Sequence, residues 1–322
     1  MTEQPPDHHL SGIRVRNLTK HFGKIEAVAG ADLEVPQGAV FGLLGPDGAG
    51  KSTLIRMLAT VLAPDAGDAE VFGLSATREA DRLTPRIGYL SQRFSMYPDL
   101  SVAENLEFFA RLRGVPRPRR RGRAAELLEG MGMAPFATRA ARLLSGGMKQ
   151  KLMLASTLMH DPDLLLLDEP TTGVDPVSRR EFWRILSGVH AEGRTVLVAT
   201  PYMDEAERCT HVGFMEAGRI THTGTPQQLK DAVGGTLLEI TSPDPRAALA
   251  TLRELPGVTQ AHLLGDTVRA LTDVPASGPA RTVPGGPGLA RVLADAGITA
   301  EVREIAMDME SVYAHLAERA AA

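Results

Sequence analysis

Gly45-Pro46-Asp47-Gly48-Ala49-Gly50-Lys51-Ser52-Thr53 sets a lysine and two hydroxyls directly behind a run of small residues. Small residues let consecutive backbone N–H groups curl around a phosphate at the positive N-terminus of a helix. Lys51 is placed to neutralise outer phosphates and the Ser52 hydroxyl to ligate Mg²⁺. A second chemical centre is Leu164-Leu165-Leu166-Leu167-Asp168-Glu169, an apolar run that ends in two carboxylates. Asp168 suits Mg²⁺, directly or through water. Glu169, one residue later and differently directed, suits a base that polarises an attacking water.

Four further positions carry chemistry with a plainer reading beside it. Gln92 is a neutral amide at a strand end, able to reach a metal or a water, or simply a solvated loop residue. Ser145-Gly146-Gly147 opens a helix with uncovered N–H groups, either a second anion site or an ordinary serine cap. Phe22 sits among Lys20, His21 and Lys24, where it can stack on a base or pack at a strand edge. Asp175-Pro176 marks a turn before another helix. Met148, Met153 and Met159 read as packing, and His8-His9 as solvated residues of an N-terminal tail.

These residues need elements to hold them. Ala39–Leu44 and Leu164–Asp168 read as buried strands, Thr53–Leu58 as the helix behind the glycine loop, and Ile13–Arg16 and Ala31–Val35 as half-buried strands. Pro64–Gly67 reads as a turn and Arg86–Leu90 as a short strand. Ser101 with Glu104 forms a capping box ahead of a helix whose apolar face is Val102, Leu106, Phe109 and Leu112. The helix opened by Ser145-Gly146-Gly147 is expected to run to about His160, the helix after Asp175 to about His190, and a strand over Thr195–Ala199. Residues 236–322 read strand, helix, strand, strand, a Pro/Gly-rich loop over Pro275–Pro287, helix, strand. That order resembles a split β-α-β, ferredoxin-like domain. A last helix gathers Met309, Val312, Tyr313 and Leu316 on one face, suited to docking or self-association.

Composition narrows the classes. A chain of 322 residues holds about two domains. Its net charge of −4 provides no field that recruits nucleic acid. Arg117-Pro118-Arg119-Arg120-Arg121-Gly122-Arg123 is a local exception and reads as a solvated surface, with lipid headgroups or a membrane partner as the other reading. The single cysteine, Cys209, forms no internal disulfide and suits a reducing compartment. The polar N-terminus argues against a signal peptide, and no apolar run approaches the ~20 residues of a membrane helix.

Taken together, the glycine loop, Gln92, Leu144–Met148 and Leu164–Glu169 stand in an order that resembles the ATP-binding cassette of ABC transporters, over residues 11 to about 232. Tyr89–Gln92, Tyr97–Leu106 and the ending Met307–Tyr313 look like the single-cassette bacterial subunits that drive two-gene exporters. The resemblance implies an α/β P-loop NTPase core with an antiparallel β subdomain and an α-helical signature subdomain at about 95–160. The small α+β ferredoxin-like domain would follow, giving a tail at 1–10, a cassette at 11–234 and an accessory domain at 235–322. It implies ATP and Mg²⁺ as ligands, with Gly45–Thr53 and Phe22 holding nucleotide and Ser52, Gln92 and Asp168 serving the metal. Glu169 would be the general base, with Lys51 and Gln92 completing the catalytic set. Ser145, Gly146, Gly147 and Asp175 would complete the site from a second cassette. Partners would be that cassette and a membrane permease, with no nucleic acid, in the cytoplasm at the inner face of the membrane. Three positions depart from the family pattern: Met148 replaces a glutamine, Asp47 an asparagine, and Pro201 the switch histidine. Pro201 implies slow hydrolysis unless another donor, of which Tyr202 is nearest, stands in. A degenerate regulatory cassette and a soluble ABC switch are the competing implications.

Overall fold

The computed structural model describes residues 11–272 and 286–321, which divide into two compact units after Thr225. The first opens with two 12-residue strands, β1 (Ser11–Phe22) and β2 (Ile25–Pro36), joined by Gly23-Lys24. β3 (Val40–Leu44) delivers the glycine loop to helix α1 (Lys51–Leu58). β4 (Ala66–Val71), β5 (Leu74–Ser75), the short helix α2 (Ala80–Leu83) and β6 (Ile87–Leu90) follow. Three helices, α3 (Val102–Leu112), α4 (Arg117–Gly130) and α5 (Gly146–Leu158), come before β7 (Leu164–Asp168). The unit closes with α6 (Pro176–Ala191), β8 (Thr195–Thr200), β9 (His211–Glu216) and β10 (Arg219–Gly224).

Two sheets organise these elements. β2-β1-β4-β5 is antiparallel. β10-β9-β3-β8-β7-β6 is parallel from β9 to β6, with β10 antiparallel at its edge. β3, β7 and β8 are buried along their whole length, so their sequences are apolar without alternation, as parallel strands covered on both faces must be. Their carboxyl ends share one edge, where an open α/β sheet places its ligands. Ala66 and Gly67, expected in a turn, instead begin β4, with Ala66 paired to Thr19 and Gly67 at φ +82°.

The helical segment holds two corrections. The capping box of Ser101 and Glu104 is formed in both directions. The inward face of α3 is Val102, Asn105, Leu106 and Ala110, however, whereas Leu112 is 67% exposed. Asn105 is buried because it saturates itself: its Oδ1 accepts from the Tyr97 N–H, and its amide donates to the carbonyls of Tyr97, Leu100 and Ser101. The arginine run is not wholly solvated either. It forms the first turns of α4, with Pro118 at the helix start where its missing N–H costs nothing. Arg120 turns inward to the Val115 carbonyl and Glu107, and Arg123 to the Leu158 carbonyl.

The second unit contains α7 (Pro226–Val233), β11 (Thr236–Thr241), α8 (Pro245–Glu254), β12 (Val258–Leu264) and β13 (Thr267–Thr272). α9 (Gly286–Asp295), β14 (Glu301–Ile305) and α10 (Met309–Ala321) complete it. Its antiparallel order β12-β13-β11-β14 is the ferredoxin-like arrangement. Ala248 and Leu252 of α8 and Leu289 and Leu293 of α9 pack on Leu238, Ile240, Val268 and Ala270 of the sheet. Met309 and Val312, expected to face a partner, are buried within this unit, where α10 packs against α7. Residues 275–285 of the Pro/Gly-rich stretch lie outside the described residues, as do His8 and His9, while Gly286 and Pro287 start α9. Among the described residues, no helix is long and apolar enough to cross a membrane.

Candidate functional site

The glycine loop turns between β3 and α1, and its shape explains its composition. Gly50 caps α1 at φ +104°, and a Cβ there would lie 2.2 Å from the Ala27 carbonyl oxygen. A side chain at this position is excluded by both backbone strain and backbone contact. Gly50→Ala should therefore cost about 3 kcal/mol of stability, read as a lowered denaturant midpoint at an unchanged slope.

Lys51 is 3% exposed, and its ammonium donates to the carbonyls of Gly45 (2.8 Å) and Pro46 (2.9 Å). Its Nζ stands 3.8 Å from Glu169 Oε1. Burial lowers the Lys51 pKa, opposed by the charges of Glu169, Asp47 and Asp168. Asp47 itself is exposed, so its carboxylate adds to this field from the solvent side of the loop.

At the sheet edge, Asp168 is fully buried. Its Oδ1 accepts from the Ser52 hydroxyl at 2.7 Å, and its Oδ2 is buried without a hydrogen-bond partner. Burial raises its pKa, opposed by the Ser52 hydrogen bond and the charges of Arg56 and Lys51. A hydroxyl oxygen beside an orphaned carboxylate oxygen in a dry pocket is a donor set that fits a hard divalent cation, which removes both the desolvation penalty and the missing partner.

Glu169 follows with φ +50°, a left-handed conformation uncommon for a glutamate, and its N–H donates to the Ala199 carbonyl at 2.9 Å. The strand thus turns sharply between two adjacent carboxylates and sends them in different directions. Glu169 Oε2 accepts from Gln92 Nε2 at 2.8 Å and from the Thr172 hydroxyl at 3.2 Å. Gln92, although exposed, is therefore joined to the carboxylate cluster.

Lys51, Ser52, Gln92, Asp168 and Glu169 are brought together by these contacts. The other sequence candidates are not: among the described residues, no hydrogen bond or ion pair joins Phe22, Ser145, Gly146, Gly147 or Asp175 to that cluster. Phe22 is 49% exposed at the tip of the β1–β2 hairpin, with Lys20 Nζ 5.9 Å from its ring centroid. Ser145 caps α5 by accepting from the Met148 N–H at 3.4 Å. Gly147 has a packing reason of its own, since a Cβ there would lie 2.6 Å from Ser178 Cβ and Oγ on α6. Asp175 caps α6 by accepting from the N–H groups of Val177 and Ser178, and the contact to Ser178 holds its carboxyl below the usual range.

One supporting network escaped sequence reasoning. Glu205, 1% exposed, accepts from the Thr171 hydroxyl at 2.7 Å and lies 3.8 Å from Arg179 Nε. Arg179 also bonds Asp204 at 2.6 Å and stacks on the Tyr202 ring at 4.5 Å. The segment after β8 is thereby clamped to the loop after Glu169 and to α6. The only linear signal was a pair of threonines directly behind Glu169-Pro170.

A profile described as ABC transporter matches residues 28–172. The chain is 43% identical over 263 residues to a probable multidrug ABC transporter ATP-binding protein, YbhF, of Escherichia coli (strain K12). That alignment covers 80% of this chain and 46% of the relative, so the chain spans about half the length of that protein. It is 38% identical over 312 residues to the daunorubicin resistance ATP-binding protein DrrA3 of Streptomyces coeruleorubidus, covering 95% of this chain and 96% of that one. Among solved structures it resembles the ATP-binding cassette MJ0796, described as a dimer in a post-hydrolysis state bound to ADP and Pi. The TM-score is 0.61 at 26% identity, over 66% of this chain and 98% of that one.

Proposed function

Because the chain belongs to the ABC transporter ATP-binding family, we propose that it is the ATP-binding and ATP-hydrolysing subunit of an exporter, powering a separately encoded membrane permease. The observation that carries this reading is the Lys51–Glu169–Gln92 and Ser52–Asp168 cluster at one sheet edge, immediately behind the glycine loop. Backbone N–H groups of Gly45–Thr53 and the Lys51 ammonium would receive the phosphates of ATP. Ser52 and Asp168 would hold Mg²⁺, with Gln92 beside them, and the ion would supply neutralisation of phosphate charge. Glu169 would take the proton of the attacking water, and Gln92, bonded to it, would carry the state of the γ-phosphate toward the permease. Phe22, exposed at its hairpin tip, would stack on adenine.

Ser145, Gly146, Gly147 and Asp175 stand outside the cluster within one chain, and this supports a site completed by a second cassette packed head to tail. The likeness to a cassette solved as a dimer supports the same arrangement. Closure on ATP and reopening after hydrolysis would bias the permease between two states, placing the protein at the inner face of the membrane with no nucleic-acid role. Sedimentation with a non-hydrolysable ATP analogue tests this. The wild-type chain should shift from monomer to dimer mass on analogue binding, and Lys51→Ala should remain a monomer. A wild-type chain that binds the analogue without changing mass contradicts the shared site.

A further inference from the structure

The arginine-rich start of α4 walls a cavity that the nucleotide site does not use. The cavity encloses ≈ 530 Å³ between the loop after α3, one face of α4 and the end of α5. Arg113, Arg119, Arg123 and His160 line it, opposed by Glu126 and Asp161. Both acids are already engaged. Glu126 pairs with Arg123 at 3.0 Å. Asp161 pairs with Arg194, lies 3.6 Å from Arg123, and has its pKa lowered by the Arg194 hydrogen bond and, less, by the charge of Arg119. Among the described residues, no carboxylate lies within ion-pair distance of Arg113 or Arg119. Arg113 has only a 3.4 Å contact to the Thr84 carbonyl, and burial lowers its pKa, as expected of a desolvated cation with no anion beside it. Arg123 Nε is buried without a hydrogen-bond partner, whereas His160 donates through Nε2 to the Ile87 carbonyl at 3.1 Å, which leaves its Nδ1 an acceptor that turns no donor to the cavity.

We infer that this cavity is a binding site for a phosphate group, carried either by a small phosphorylated molecule or by a phospholipid headgroup. The half-buried Arg113 guanidinium, the exposed Arg119 guanidinium and an Arg123 guanidinium with a free Nε converge from the loop after α3 and from α4. Guanidinium forks match the oxygens of a phosphoryl group, which accepts from more directions than a planar carboxylate. The first turn of the 14-residue α4 adds the positive end of its dipole on the same side. The volume lies within the range of small-molecule sites.

The test uses the full chain carrying Lys51→Ala, so that the glycine loop contributes no phosphate binding, with glycerol 3-phosphate and vesicles of phosphatidic acid in phosphatidylcholine as probes. Arg113→Gln/Arg119→Gln removes the unpaired guanidiniums, and Arg117→Gln/Arg121→Gln removes two exposed charges of the same run outside the cavity. Arg113→Lys/Arg119→Lys keeps the charge should the glutamine pair fail to fold. Saturable binding of either probe, weakened at least tenfold in the glutamine pair, weakened in the lysine pair and retained in the exposed pair, is expected. Binding of glycerol 3-phosphate identifies a soluble ester as the ligand source, and binding of vesicles alone identifies a headgroup. Absence of saturable binding to both probes, or equal loss in the cavity and exposed pairs, overturns the inference.

Discussion

Replacing Glu169 with glutamine should lower ATP turnover by a factor of about 10³ while leaving nucleotide binding intact. The substitution removes the carboxylate that can accept a proton but keeps the shape and one acceptor oxygen. The Thr172 hydroxyl and Gln92 amide therefore retain a partner at 3.2 Å and 2.8 Å, and the left-handed backbone at position 169 is undisturbed. Lys51, 3.8 Å away, loses one of the charges that hold its pKa up against burial, but keeps those of Asp47 and Asp168. With the base gone and the phosphate contacts in place, ATP should persist on the protein and hold it dimeric. Single-turnover release of labelled phosphate, read beside the mass in solution, checks both halves. Turnover within threefold of wild type would remove Glu169 from the role of base.

Pro201→His should raise turnover by about 10²-fold, the typical worth of one positioned transition-state donor. Position 201 lies just beyond β8, whose Ala199 pairs with Asp168 and accepts from the Glu169 N–H. A side chain there emerges at the same sheet edge as the two carboxylates, yet proline has neither N–H nor side-chain donor. Tyr202, the nearest substitute, is held beside α6: its ring carries the Arg179 guanidinium at 4.5 Å, and its N–H donates to the Thr200 hydroxyl at 3.1 Å. The histidine variant isolates the donor, and Pro201→Ala controls for freed backbone. Equal turnover in wild type and both variants would mean that the missing histidine costs this chain nothing.

The sequence made the local parts of this protein readable wherever one residue's type dictated one contact. Lys51, Ser52, Asp168 and Glu169 were legible because a glycine loop behind a buried strand, and an apolar run ending in carboxylates, each have few other physical uses. The Ser101–Glu104 capping box is likewise a contact between near neighbours. Features that depend on distant partners were not legible. Leu112 fits a helical apolar stripe, yet it is 67% exposed at the last residue of α3, while the polar Asn105 takes an inward place because it saturates its hydrogen bonds with the Tyr97–Ser101 segment. The arginine run looked uniformly solvated because nothing linear announces that Arg120 meets Glu107 thirteen positions earlier, or that the end of α5 comes to face Arg123. Met309 and Val312 suggested an unpartnered face, but α7, nearly eighty positions upstream, lies against that helix. The φ of +50° at Glu169 carries no compositional signal at all, since glutamate is not a turn residue.

Phosphate release from Mg²⁺-ATP by the purified chain tests the central claim most directly, with Lys51→Ala measured in parallel. The account predicts turnover that saturates with ATP and falls at least 10²-fold in the variant. Release that is equal in the two proteins, or absent from the wild type although ATP binds and dimerises it, would contradict an ATP-hydrolysing subunit built on this site.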